Sequence, residues 1–153
     1  MSAAGPRLFL AALLAAACTQ GPPPPAALDT ANESCRFCRM AVSERRFAAQ
    51  IVEPGEEPLF FDDLGCLRDY LAGGALTGEG AVAYVAVDAS GAWRRADEAV
   101  YSLVAAAATP MDSHFLAHAS AAARDADPAA LGAQALALSD LFGAAGPPRG
   151  SGR

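Results

Sequence analysis

Three sulfur side chains fall within the six residues Cys35-Arg36-Phe37-Cys38-Arg39-Met40, and no other stretch constrains the fold of this chain so tightly. Thiols this close form a disulfide, share a metal ion or pack as small apolar groups. Soft thiolate and thioether donors select Cu(I) over harder divalent ions, and a thioether adds nothing to a structural zinc site. The segment therefore reads first as copper-handling. In extended backbone Cys38 and Met40 project to one face with Cα atoms about 6–7 Å apart and can share an ion. Cys35 and Cys38, at turn spacing, can instead make a redox disulfide or half of a zinc knuckle. Met40 as a gap-filler beside a structural disulfide is the plainer alternative.

What precedes this segment sets its compartment. Residues 1–17 carry one positive charge, Arg7, and then the apolar run Leu8 to Ala17, which has the length of a secretory signal core and is too short for the roughly 20 apolar residues that span a bilayer. The run stops at Cys18, as in the lipobox of bacterial lipoproteins, although Ala15 stands where that box usually has Leu, Val or Ile. Acylation of Cys18 is expected, which places the mature chain in the bacterial cell envelope, lipid-anchored and facing the periplasm. The alternative is an ordinary signal peptide cleaved nearby. The mature chain would carry 10 basic and 17 acidic residues, a net −7, and that balance argues against nucleic-acid binding, whose footprint is a basic patch. Pro22 to Pro25 extend residues 18–31 into a flexible tether. Three cysteines remain, Cys35, Cys38 and Cys66. In an oxidising compartment an odd thiol needs a reason, and a metal supplies one.

Beyond the sulfur segment, Phe47 to Glu53 and Leu59 to Phe61 read as strands joined by the turn Pro54-Gly55-Glu56-Glu57-Pro58. Asp62-Asp63 then stands before Leu64, Leu67, Tyr70 and Leu71, one apolar helix face with an acidic N-cap, ended by Gly73-Gly74. Cys66 falls inside this helix and reads as a small buried hydrophobe ranking below Cys38. Strands are expected at Ala81–Asp88 and Val100–Val104 and a further one at Phe115–His118, with Ser90-Gly91 turning into Ala92-Trp93-Arg94 and a helical or bulged piece through Ala96–Ala99. Met111 and His114 lie in a loop opened by Pro110, where either could act as a soft or borderline ligand. Asp127-Pro128 is a helix start. One domain is expected over residues 32–142, followed by a disordered tail at 143–153.

Taken in order, Cys35-x-x-Cys38-x-Met40, Phe47-Ala48-Ala49-Gln50, Phe61-Asp62-Asp63-Leu64-Gly65-Cys66, Val87-Asp88 with Trp93, Ala96 and Ala99, and Thr109-Pro110-Met111 resemble the NosL family, lipoproteins that act as copper chaperones in the assembly of nitrous oxide reductase. The likeness runs from Cys35 to Met111, with a weaker tail to about Leu141. It implies a small α+β domain of two ββαβ-like halves, similar in fold to the organomercurial lyase. It also implies Cu(I) held by Cys38 and Met40 and assisted by Met111. Arg39 stands where the family usually has Gly, and Leu67 where it usually has Met. His114 and His118 replace the more usual small and aromatic residues.

The favoured expectation is thus a non-enzymatic Cu(I) metallochaperone, passing copper to nitrous oxide reductase, its copper-insertion machinery or another exported cuproenzyme. Its ligands would be Cys38, Met40 and Met111 with Cys35, and less certainly Cys66 or His114. The alternatives are a thiol-disulfide redox protein using Cys35 and Cys38, and a structural zinc site of Cys35, Cys38, Cys66 and a histidine.

Overall fold

The structure is a computed structural model, and it describes residues 21–75 and 77–150. The residues before 21, among them Cys18, lie outside that range, so the expected signal peptide and lipidation site have no structural description. Among the described residues no helix is long and apolar enough to cross a membrane.

The chain is α+β, built on two small antiparallel sheets. β1 (Ala49–Val52) and β2 (Leu59–Phe61) form the expected hairpin, α1 (Leu64–Ala72) follows, and β3 (Val82–Ala86) and β4 (Trp93–Arg95) complete a sheet of order β2-β1-β3-β4. The second sheet has order β6-β5-β7, from β5 (Val100–Leu103), β6 (Phe115–His118) and β7 (Gln134–Leu136). The short helix α2 (Ala121–Ala126) lies between β6 and β7, and α3 (Leu138–Phe142) follows β7.

The two halves repeat one plan. In each, the first strand is central, pairs antiparallel with the second, and pairs antiparallel again with a third that follows a helix. Even the strand-to-helix joint repeats: one residue separates the end of β2 from the N-cap Asp63, and one separates the end of β6 from the N-cap Ser120. The two ββαβ halves expected from the sequence are present, with β4 as an addition to the first. Periodicity missed α2 and α3, which have 6 and 5 residues, because so short an apolar repeat carries no readable period. The expected start at Asp127-Pro128 is real but opens only a single 3₁₀ turn, Pro128–Ala130.

One hydrophobic cluster joins both halves, with Val42, Ile51, Phe61, Leu64, Leu67, Val85, Tyr101 and Leu141 among its buried members. α1 packs on β1, β2, β6 and α3. It begins where it does because the Asp63 carboxylate accepts the Gly65 N–H at 2.6 Å, the N-cap bond that satisfies an orphan donor.

Residues from the segments expected to be free reach the sheet. Both β1 and β3 are buried along their whole length, so the sheet needs cover on its second face as well. The Pro-rich segment supplies part of it: the Tyr84 hydroxyl donates to the Pro23 carbonyl at 2.6 Å, and the buried Gln50 amide accepts from Ala26 N–H and donates to Ala26 C=O at 2.8 and 3.1 Å. Leu28 enters the main core. The C-terminal residues supply more, since Pro148 C=O accepts from Ala83 N–H and Gly150 N–H donates to Ala81 C=O. Gly150, at φ 65°, passes so close that a Cβ would stand 2.7 Å from Val82 Cγ2. Of the expected tether at 18–31 and disordered tail at 143–153, the described parts touch the sheet at these points, through Pro23, Ala26 and Leu28 at one end of the chain and Pro148 and Gly150 at the other, while Pro22, Pro24, Pro25 and Arg149 stay exposed. Prolines suit this role because they present apolar surface with no N–H to satisfy.

Candidate metal centre

The sulfur segment is a closed turn. Ser34 and Ala41 pair as an antiparallel bridge, Cys35 N–H donates to Met40 C=O at 2.7 Å, and Arg39 N–H donates to Cys35 C=O at 3.1 Å. Arg36 N–H donates to Phe60 C=O at 2.7 Å, which ties the turn to the outer edge of β2. Arg39 sits between Cys38 and Met40 with φ 68°, left-handed backbone that costs an L-residue about 1–2 kcal/mol. The extended geometry that would set Cys38 and Met40 on one face is absent, because the left-handed residue between them turns the chain.

The turn places Cys35 (1% exposed) and the half-buried Cys38 against the start of α1. There they meet Asp62 (2% exposed) and Cys66 (3%). The three sulfurs and one carboxylate oxygen all lie within 4.8 Å of one another. Separations of this order suit donors that converge on one ion at bond lengths of about 2.0–2.3 Å. All three cysteines are free thiols. The Cys38 thiol donates to Asp62, with Sγ to Oδ1 and Oδ2 distances of 3.4 and 3.6 Å.

Electrostatically this is a site prepared for a cation. Asp62 has no ion-pair partner among the described residues, and a buried carboxylate without one is costly. The Cys66 thiol, hydrogen-bonded to Cys35, lowers the Cys35 pKa to about 6 despite burial. The same bond, with desolvation, pushes the Cys66 thiol strongly up. Burial raises Cys38 to about 11. Of the three sulfurs Cys35 is thus the one whose ionisation is favoured, and its charge would share a buried pocket with that of Asp62. An arriving cation offsets both.

A cavity of about 310 Å³ lies against Cys66 and is lined also by Phe37, Arg68, Asp69, Met111 and Asp112. Met111, 45% exposed, is one of its walls, with its N–H donating to Asp63 Oδ2 at 3.1 Å. The same carboxylate thus caps α1 and holds the Met111 loop. Gly65 permits the approach, since a Cβ there would be 2.7 Å from Ser113 Cβ. Asp112 and His114, at φ 51° and 60°, are left-handed as well, so every non-glycine residue of this kind among the described residues lies within three positions of Met40 or Met111. Strain of this sort concentrates at functional sites.

Of the residues nominated from sequence, Cys35, Cys38 and Cys66 come together. Met111 lines the cavity against Cys66. Met40 is 60% exposed, and its backbone engages the turn, the C=O accepting from Cys35 N–H and the N–H bonding to the Cys38 sulfur. His114 is outside the cluster, its Nδ1 bonded to Ala107 C=O at 2.8 Å. Cys66 is buried, as expected, and also reaches the cluster, because it occupies the first turn of α1, where the helix meets the sulfur turn. Asp62 was missed as a donor because it reads as half of an acidic cap, a role its neighbour Asp63 fills alone. The signal available was the second carboxylate itself, which one cap does not use.

The chain matches no family model, no curated protein and no solved structure.

Proposed function

We propose that this chain is a membrane-anchored Cu(I) metallochaperone of the NosL type, held in the cell envelope through Cys18 and carrying copper to nitrous oxide reductase, its copper-insertion machinery or another exported cuproenzyme. The observation that carries the proposal is the convergence of Cys35, Cys38 and Cys66 on one point, with a cavity against Cys66. Thiolate-rich sites select Cu(I). Family membership is part of the proposal and rests on the order of the motifs from Cys35 to Met111.

In this reading the sulfurs of Cys35, Cys38 and Cys66 hold the ion, and Met111 and Met40 serve as weaker, neutral thioether ligands. A carrier must release what it binds. A soft ion passes between proteins by ligand exchange: an incoming thiolate or thioether bonds to it as one of the carrier's sulfurs lets go, without any change in its oxidation state. Exposed thioethers beside a buried thiolate set provide such a stepwise path.

A second reading is a structural zinc site, favoured by one feature, the oxygen of Asp62 as fourth donor. It would be a Cys₃Asp set and not the Cys₃His set expected from the sequence, since neither histidine belongs to the cluster. Anaerobic competition titrations with Cu(I) and Zn(II) against chelators separate the two readings. The chaperone reading expects tight, reversible Cu(I) binding that outcompetes Zn(II) and fails in Cys35→Ala, Cys38→Ala and Cys66→Ala. Zn(II) preference with unfolding on metal removal would overturn it.

A further inference from the structure

We infer that the N-terminal strap fixes the direction in which the metal centre faces, so that a copy anchored through its N-terminus presents the centre away from the bilayer, to a metal-exchanging partner carried on a soluble protein or soluble domain. This rests on the anchored, metal-carrying reading given above.

Strand register defines two ends of the four-stranded sheet. Ile51 pairs with Leu59 and Val52 with Val82, so the Pro54-Gly55 turn and Gly80 lie at one end. Ala49 pairs with Phe61 and Val85, which puts Asp62 at the other. The metal centre is at the Asp62 end, and the chain leaves the first described residues at the opposite one. Gly21, Pro22 and Pro24 share a cavity of about 690 Å³ with Pro54, Gly55 and Gly80. At about 3.3 Å per residue the two ends are on the order of 15 Å apart.

The strap between them is pinned along its course. Pro23 is held by Tyr84, Ala26 by both hydrogen-bonding groups of Gln50, and the Leu28 carbonyl accepts from the Arg45 guanidinium, before the chain reaches Cys35. Only two residues, Thr19 and Gln20, separate Cys18 from Gly21, and the three Cα-to-Cα steps across them reach at most about 11 Å even when extended. The short link leaves the domain little freedom to turn over. A bilayer holding Cys18 would then lie beside the Pro54-Gly55 end.

The far end is also dressed for contact. Of the four exposed large hydrophobic side chains among the described residues, Phe37 and Met111 line the cavity against Cys66 and Met40 belongs to the sulfur turn. The partner that fits is one whose own thiol or thioether ligands sit in an apolar patch reached from the solvent side. An acceptor opening at the bilayer surface would face the wrong end.

The chain contains no lysine, so one introduced lysine gives a unique side-chain amine for labelling, with the parent chain reporting any label on the N-terminal amine. The full lipidated chain, as Glu56→Lys or Arg36→Lys, would be dye-labelled and incorporated into phosphatidylcholine–phosphatidylglycerol vesicles containing a headgroup-nitroxide lipid, which quenches only near contact. Both positions are exposed, Glu56 in the β1–β2 turn and Arg36 beside Cys35. Quenching should be several-fold stronger at position 56 than at 36, and a long Gly–Ser linker inserted between Gly21 and Pro22 should abolish the difference. Equal quenching, or stronger quenching at 36, in a chain that co-floats with the vesicles overturns the orientation alone. A difference that survives the linker removes the strap as its cause. A chain that does not co-float overturns the anchored reading, and the orientation falls with it.

Discussion

The molecule contains two buried polar clusters at its strand–helix joints, one in each half, and they are built on opposite principles. In the second half the Ser102 hydroxyl meets His118 Nε2 at 3.1 Å, His118 Nδ1 lies 3.8 Å from Asp127, and Asp127 is paired with Arg46 at 2.5 Å. Ser102 and His118 are sealed, at 0 and 1% exposed, and the one carboxylate has its guanidinium. The order Ser, His, Asp invites comparison with a hydrolase triad, but a nucleophile needs access to substrate and Ser102 has none. In the first half the carboxylate of Asp62 accepts from the Cys38 thiol and has no guanidinium among the described residues, a cavity lies against the neighbouring Cys66, and left-handed backbone occurs at Arg39 in the sulfur turn. A cluster whose charges are already balanced holds the fold together. One whose charge is left over, beside an opening, is a place for a cation.

The sharpest way to break this contrast is to remove a thiolate. Cys35→Ser should lower Cu(I) affinity by more than about a hundredfold, beyond the 10–100-fold typical of outer-shell changes, while the thermal midpoint of the metal-free protein stays within a few degrees of wild type. Chelator competition and calorimetry read the two quantities. Equal loss of both would mean that the sulfur cluster is structural after all.

The mirror experiment is Asp127→Ala. It strands Arg46 and removes the side-chain acceptor of Ala129 N–H, so about 2–3 kcal/mol of stability should be lost, measured by denaturant unfolding, with Cu(I) affinity unchanged. A matching fall in affinity would show that the halves are coupled.

Acid should act on the second cluster too. Burial lowers the pKa of His118 from the ordinary 6.5, with Arg46 and Arg124 also lowering it and Asp127 and Asp125 opposing. The unfolded chain then binds the proton more readily than the folded one. The stability contributed by neutral His118 is present above pH 6.5 and lost as pH falls through the lowered folded pKa. Comparing stability against pH for wild type and His118→Gln should show a steeper loss below that point in wild type. Parallel curves would remove His118 from the acid response.

The sulfur cluster should titrate elsewhere. Ultraviolet thiolate absorbance of the metal-free protein should show one group ionising near pH 6, that of Cys35, and Cys66→Ala should move it upward by removing the thiol that donates to it. The smallest effect is expected at Arg39→Gly: relief of the left-handed backbone, partly offset by a more flexible unfolded chain, should give about 0.5–1 kcal/mol of stability. A destabilised Arg39→Gly would mean that the arginine side chain contributes more than its backbone costs.

Much of this architecture was legible in advance. The β1–β2 hairpin, the Asp63-capped helix with its Gly73 end and the strands β3, β5 and β6 follow from short apolar runs bounded by Pro, Gly and Asp, and the two-half plan from the motif order. The gathering of soft donors was legible as well, in Cys35, Cys38 and the odd third thiol. The ligand set was harder. Met40 looked like a ligand because spacing in an extended chain would allow it, and Cys66 looked like core because a thiol on an apolar helix face usually is.

The sequence by itself determined which atoms are available: three thiols beyond Cys18, two adjacent carboxylates, and apolar runs that must be buried. Only the tertiary structure decided which of those atoms share a centre. That depends on one left-handed residue, Arg39, which turns Met40 outward, and on the Asp63 cap, which starts α1 where Cys66 meets Cys35. It also depends on two buried central strands, whose second face is partly covered by residues from both ends of the described chain. The first two are local backbone features and only the last is a contact between distant segments, but the outcome of each is set by chain direction and burial, which composition does not record.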